Sequence, residues 1–297
     1  MALTLAVRAP APITFEEYIE YVRREVDPDD SDSVQASAEK LQGLSQNKQL
    51  LLDMMHRELT AAVAKEDSKF YTAHSFVLGS ANGMTVRGNI WPKVDSFQNV
   101  SHRRAHINKV YAYEYPHDHN FNFLTVGWFG PGYITDVYEY DYEDVGGCDG
   151  EKVSLKFLER THLSDGKVMF FREGRDVHIQ YPPPEVSVSL NLLVRTSRTS
   201  AREQFIFDIA EQKIRSMATG SDVARTVLAI EFATMLGNQA TVEVLNRLVG
   251  SSRSGRVRAA AMKAMLTLDP GSRDAIARMA SLGCSPHARL VLDSAGV

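Results

Sequence analysis

Cysteine is nearly absent: Cys148 and Cys284 are the two in 297 residues. Two thiols cannot make a disulfide framework or a cysteine-rich zinc site, so any bound metal needs other donors. Reduced thiols suit a cytoplasmic setting, which is the expected location. Long hydrophobic runs are also missing. No apolar stretch approaches the roughly 18 residues that cross a bilayer, so no membrane role is expected. The opening MALTLAVRAPAP is too short and too interrupted to read as a secretory leader. There is no excess of positive charge. The 33 Lys and Arg against 37 Asp and Glu leave −4, whereas nucleic-acid binders usually carry a basic surplus. No phosphate-loop pattern and no G-x-S-x-G is found, and the glycine-rich GWFGPGY (127–133) reads as a tight hairpin. What is present, 44% hydrophobic and 24% charged residues, is ordinary for a globular protein and excludes disorder and collagen-like structure.

Three regions follow from patterning. Residues 1–72 read as an N-terminal helical segment, with Thr14 opening a helix whose first turn holds Glu16 and Glu17. DPDDSDS (27–33) reads as a loop, and an amphipathic helix follows over 38–64. Residues 73–199 change character. Val, Ile, Tyr, Phe and Trp rise, and Gly and Pro punctuate roughly nine short runs, including INKVYAYEY, that predict strands with no helix between them. Residues 200–297 turn helical again, from AREQFIFDIAEQKIRSMA (201–218) to PHARLVLDSA (286–295). Segments starting near Val223, Val257 and Ala288 recur about every 30 residues, and RVRAAAMKAMLTLDP resembles one helix of a HEAT-type repeat. The expected fold class is α+β: a central antiparallel β-barrel between N-terminal helices and a C-terminal α-helical domain.

The chemistry concentrates in YEYPHDHNFNFL. His117 and His119 stand two apart, so in an extended chain both imidazoles project from one face. His178 follows in GRDVHIQY, with Gly174 ahead of it as a turn residue. Three neutral imidazoles suit a divalent transition metal rather than magnesium or calcium, and leave coordination positions open for substrate.

These two segments resemble the two motifs of the cupin superfamily, HxH at a strand end and then Gly, His and a terminal strand. Within it the set is most similar to the three-histidine, thiol-dioxygenase-like branch. The carboxylate that many cupins place five or six residues after HxH is replaced by Leu124 and Thr125. SVSLNLL (187–193) resembles the final strand of thiol dioxygenases, with Ser189 matching and Asn191 and Leu193 departing from His and Tyr. The resemblance covers residues 75–195 and implies iron(II) and molecular oxygen as co-reactants. Without an HxD/E…H triad, dependence on 2-oxoglutarate ranks lower.

Further candidates come from alternation. Ser187, Ser189 and Asn191 share the polar face of the last strand, read as a ligand-lined interior. Asn191 and Ser189 are the candidates to orient substrate. Glu139 is kept as a fourth-ligand candidate, although alternation favours an exposed acidic edge with Tyr138, Tyr140 and Tyr142 inward. Arg87 is the best placed arginine to bind a substrate carboxylate, and Tyr113, Phe121 and Tyr138 are candidate pocket walls. His102 and His106 have helical spacing in a polar, basic stretch that reads as a solvated loop. The expected function is a metal-dependent oxygenase, with iron(II) favoured, acting on a small polar or amino-acid-like substrate. Two alternatives stay open: a ligand-sensing cupin whose helical region docks a partner, and a metal-dependent isomerase or hydrolase. The helical regions are also candidate homo-oligomer contacts.

Overall fold

A computed structural model describes residues 3–7, 10–64, 70, 72–94, 101–199, 201–218 and 222–281. Two compact units emerge, residues 1–140 with 155–196, and residues 141–154 with 197–297.

In the first unit the helices α1 (Phe15–Glu25), α2 (Ser31–Ala36), α3 (Ala38–Gln46) and α4 (Lys48–Ala64) follow a short strand β1 (Leu3–Leu5). Helix α1 starts where the acidic first turn predicts. The Thr14 side chain accepts from the Glu17 amide, and the Glu17 carboxylate accepts from the Thr14 amide. The expected loop at 27–33 is shorter than predicted, because Asp30 accepts from the Asp32 amide and caps α2.

Two antiparallel sheets follow. The larger has six strands in the order β1, β7 (Val168–Phe171), β4 (Asn122–Phe129), β9 (Ser187–Val194), β3 (Met84–Trp91) and β2 (Ser75–Ala81). The smaller has the order β6 (Lys156–His162), β5 (Ile134–Glu139) and β8 (Asp176–Tyr181). One face of the large sheet packs on the helices. Leu124, Val126 and Trp128 of β4 and Val188, Leu190, Leu192 and Val194 of β9 form one core with Tyr18, Val22, Leu41 and Leu44. The opposite face meets the small sheet through a second core, in which Trp91, Phe123, Phe171 and Leu193 pack with Val137.

The expected closed barrel is not found among the described residues. Strands β1 and β2 end one ladder and β6 and β8 the other, so the architecture is two facing sheets joined by side chains and isolated bridges. Two further expectations are corrected. INKVY belongs to a helix, α5 (Ser101–Tyr111), whose side chains are described from His106 onward. Its β-prone residues end at Ala112 and Glu114, both at φ 55°, which break the chain direction.

In the second unit the stretch read as a helix over 201–218 is a hairpin. Strand β10 (Phe205–Asp208) pairs with β11 (Lys213–Met217), burying the alternate Phe205 and Phe207 on one face. Helices α6 (Asp222–Leu236), α7 (Gln239–Ser251), α8 (Gly255–Leu268) and α9 (Arg273–Ser281) share one core built on Val227, Leu245, Val257 and Ile276. A HEAT-type ancestry gains nothing from this packing. The helix expected at 286–295 and Cys284 lie outside the described residues. No helix among the described residues is long and apolar enough to cross a membrane.

Candidate metal centre

His117 and His119 occupy the extended stretch just before β4, and not a strand end as expected. His178 lies within β8. One bridge ties the two motifs together. The His117 amide donates to the His178 carbonyl at 3.1 Å, and the His178 amide to the His117 carbonyl at 2.9 Å. Gly174, at φ 58°, donates its amide to the His119 carbonyl at 2.7 Å. The turn around Gly174 is pinned in turn by Arg172, whose guanidinium and backbone amide both bind the buried Asp176 carboxylate. Beside the histidines the Tyr140 hydroxyl donates to buried Asp118 at 2.5 Å.

The three imidazoles meet. The Nε2 of His178 lies 3.2 Å from Nε2 of His117 and 3.1 Å from Nε2 of His119. They are 8, 9 and 2% exposed for His117, His119 and His178. Two nitrogens bound to one ion at about 2.1 Å, subtending 90–109°, would stand about 3.0–3.4 Å apart, so both observed separations fit. Burial lowers the pKa of all three. For His119 the neighbouring His117, His178 and Arg87 lower it further, and for His178 so does His117. All three are therefore neutral at pH 7. His117 is also fixed as a tautomer: its Nδ1 donates to the Tyr115 carbonyl at 2.7 Å, which leaves Nε2 with its lone pair toward the cluster. This all-imidazole set suits a borderline transition ion and not a hard cation.

Odd-numbered positions pack aromatic rings against the histidines. Phe121 stands 5.0 Å from the His119 ring and Phe123 4.7 Å, while Phe171 is 4.7 Å from His178 and stacks on Phe123. Only Phe121 of these is among the sequence candidates. The parity that selects it, continuing His117 and His119, selects Phe123 as well. Ser189 and Asn191 are buried on the face away from the helices. Ser189 Oγ accepts from Trp91 Nε1 at 2.9 Å, and the Asn191 amide donates to the Arg87 carbonyl at 3.3 Å. Arg87 alternates with Met84 and Val86 of the helix-side core, so it shares its face with Asn89 and Trp91, and its charge reaches His119. Tyr113 is buried in the same aromatic core, its hydroxyl donating to the Pro92 carbonyl at 2.8 Å.

Three candidates are placed elsewhere. Glu139 stands outside the histidine cluster. Its carboxylate accepts from Arg172 at 2.8 Å and Arg175 at 3.3 Å, which lower its pKa to about 2. Tyr138 is half-buried with its ring 5.3 Å from Phe157, on the side of β5 opposite the inward Val137, so the expected inward tyrosine face does not form there. His106 is an exposed residue on α5, and the His102 side chain lies outside the described residues.

No family model and no curated protein matches the chain. Several solved structures show partial similarity, three of which follow. One is a hydroquinone 1,2-dioxygenase in complex with Cd2+ and 4-hydroxybenzonitrile, at 13% identity and TM-score 0.24, covering 46% of this chain and 71% of that one. A structure from a study of DMSP lyases matches at 11% identity and TM-score 0.23, covering 41% of this chain and 47% of that one. The vicilin of Solanum melongena matches at 9% identity and TM-score 0.26, covering 61% of this chain and 42% of its own. The chain thus spans less than half of the second and third. At such TM-scores these likenesses carry no argument, and the site must be read from its own geometry.

Proposed function

We propose that His117, His119 and His178 hold one divalent transition metal, iron(II) first, and that the chain is a cupin-type oxygenase acting on a small polar or amino-acid-like molecule. The observation that carries this reading is the convergence of three buried, neutral Nε2 atoms at 3.1 and 3.2 Å. When bound, such an ion supplies Lewis acidity and redox chemistry at open positions.

The chain's own residues supply the rest. Three uncharged ligands leave the ion's charge uncompensated by protein, which favours an anionic substrate group. Arg87, on the interior face of β3, adds a second positive charge suited to a substrate carboxylate. Phe121, Phe123 and Phe171 exclude water from the imidazole cluster. Ser189 and Asn191, held through Trp91 and the Arg87 carbonyl, offer polar atoms to orient substrate. The Nδ1 donation by His117 to the Tyr115 carbonyl fixes one ligand's orientation.

Oxygen consumption by iron-loaded protein over a panel of amino acids and small hydroxy acids tests the activity. Uptake with one substrate class, abolished in His119→Ala, is expected. Turnover without oxygen uptake would move the assignment to the isomerase or hydrolase alternative, and full activity in His119→Ala would overturn the site.

A further inference from the structure

The second unit holds a cavity of about 440 Å³, lined only by its own residues. Five arginines face it, Arg198, Arg202, Arg253, Arg256 and Arg258, against two carboxylates, Glu143 and Glu203. The chain as a whole is acidic, at −4, so this concentration of guanidinium is local.

Both carboxylates are engaged. Arg202 pairs with Glu143 at 2.6 Å and lies over the Tyr142 ring at 4.6 Å. Arg256 pairs with the buried Glu203 at 2.5 Å, and the Glu203 amide donates to the Tyr142 hydroxyl at 3.0 Å. Tyr142 stacks on Phe205 at 5.5 Å, so the Arg202 fork rests on a fixed aromatic base, while Arg256 is set by the buried Glu203 carboxylate. Arg258 is held from the side, donating to the Ser252 carbonyl at 2.8 Å. The first turn of α8 opens onto the same space. Ser254 caps it by accepting from the Val257 amide, and Gly255 and Arg256, whose amides have no acceptor within the helix, line the cavity.

We propose that this cavity is a binding site for a phosphate monoester, separate from the histidine cluster. Preset guanidinium forks arriving from several directions match the three oxygens and near-double charge of a phosphoryl group better than the two oxygens of one carboxylate. The helix N-terminus adds amide donors and a favourable dipole. The volume falls within the range of about 300–1,000 Å³ typical of small-ligand pockets. It exceeds what inorganic phosphate needs and leaves room for an organic group beside the phosphoryl.

Titration calorimetry on the full chain at constant ionic strength tests this, with inorganic phosphate, pyrophosphate, adenosine monophosphate and citrate as probes. Adenosine monophosphate is expected to bind at least about tenfold more tightly than citrate. The Arg253→Gln/Arg258→Gln pair should weaken it by about tenfold or more. Arg198→Gln/Arg253→Gln alters two exposed side chains and provides a second variant should the first fail to fold; it too should weaken binding. Tighter binding of inorganic phosphate than of the monoester would overturn the ester assignment. Equal affinity for citrate, no binding at millimolar concentration, or unchanged affinity in the folded variants would overturn the site.

Discussion

His74 makes the stability of the first unit depend on pH in a calculable way. Its ring lies 5.4 Å from Trp91 and 5.1 Å from Tyr111, and burial, assisted by the charge of Arg87, lowers its pKa from 6.5 to about 4. The unfolded chain therefore binds a proton that the folded chain refuses between those values. Stability from this group is complete above pH 6.5, falls as pH drops toward 4, and falls no further below that. At 1.36 kcal/mol per pKa unit the loss is about 3 kcal/mol. The assay is urea unfolding of chelator-treated protein at steps from pH 7 to pH 4, comparing the native sequence with His74→Gln. The buried metal-centre histidines and the carboxylates titrate in both proteins and cancel in the difference. The variant should show a shallower decline, by close to one proton across the window. Parallel curves, or a steeper decline in the variant, would refute the assignment of a half-buried, neutral His74.

Trp128→Ala should cost about 3–5 kcal/mol in urea unfolding, because the indole is fully buried between the large sheet and the N-terminal helices. Gly132 and Gly166 form a matched pair for unfolding measurements. Both have positive φ, 79° and 75°, but an added Cβ would meet the Leu163 carbonyl at 1.8 Å in the first and only side-chain atoms at 3.7 Å or more in the second. Gly166→Ala should cost about 1–2 kcal/mol and Gly132→Ala distinctly more. Glu139→Gln should leave metal content unchanged by elemental analysis, since the carboxylate serves Arg172 and Arg175; loss of metal would restore it as a ligand.

Some of this was legible in residue order. Alternation along SVSLNLLV separates the apolar face that meets the helices from the polar face that is buried on the other side. The HxH spacing and the distant Gly174–His178 pair point to donors that the structure brings together, because parity in an extended chain is a local property. The misreadings share one cause: local preference is weak where tertiary contacts decide. INKVY is rich in β-formers yet closes a helix that ends at two residues with φ 55°. FIFDIAEQKIRSM mixes helical and strand periods, and the buried pair Phe205 and Phe207 resolves it as a hairpin. Glu139 carries no local sign of its ion pairs, since Arg172 and Arg175 lie more than thirty positions away. The arginine-lined cavity draws on three separate stretches, which no window of sequence could group.

Metal stoichiometry tests the central claim most directly. Purified protein equilibrated with iron(II) without oxygen, then desalted, should retain about one ion per chain, and His178→Ala of unchanged fold should retain almost none. A native chain that leaves the column empty, or a His178→Ala chain that still carries its ion, would contradict the convergence of these imidazoles on a common metal.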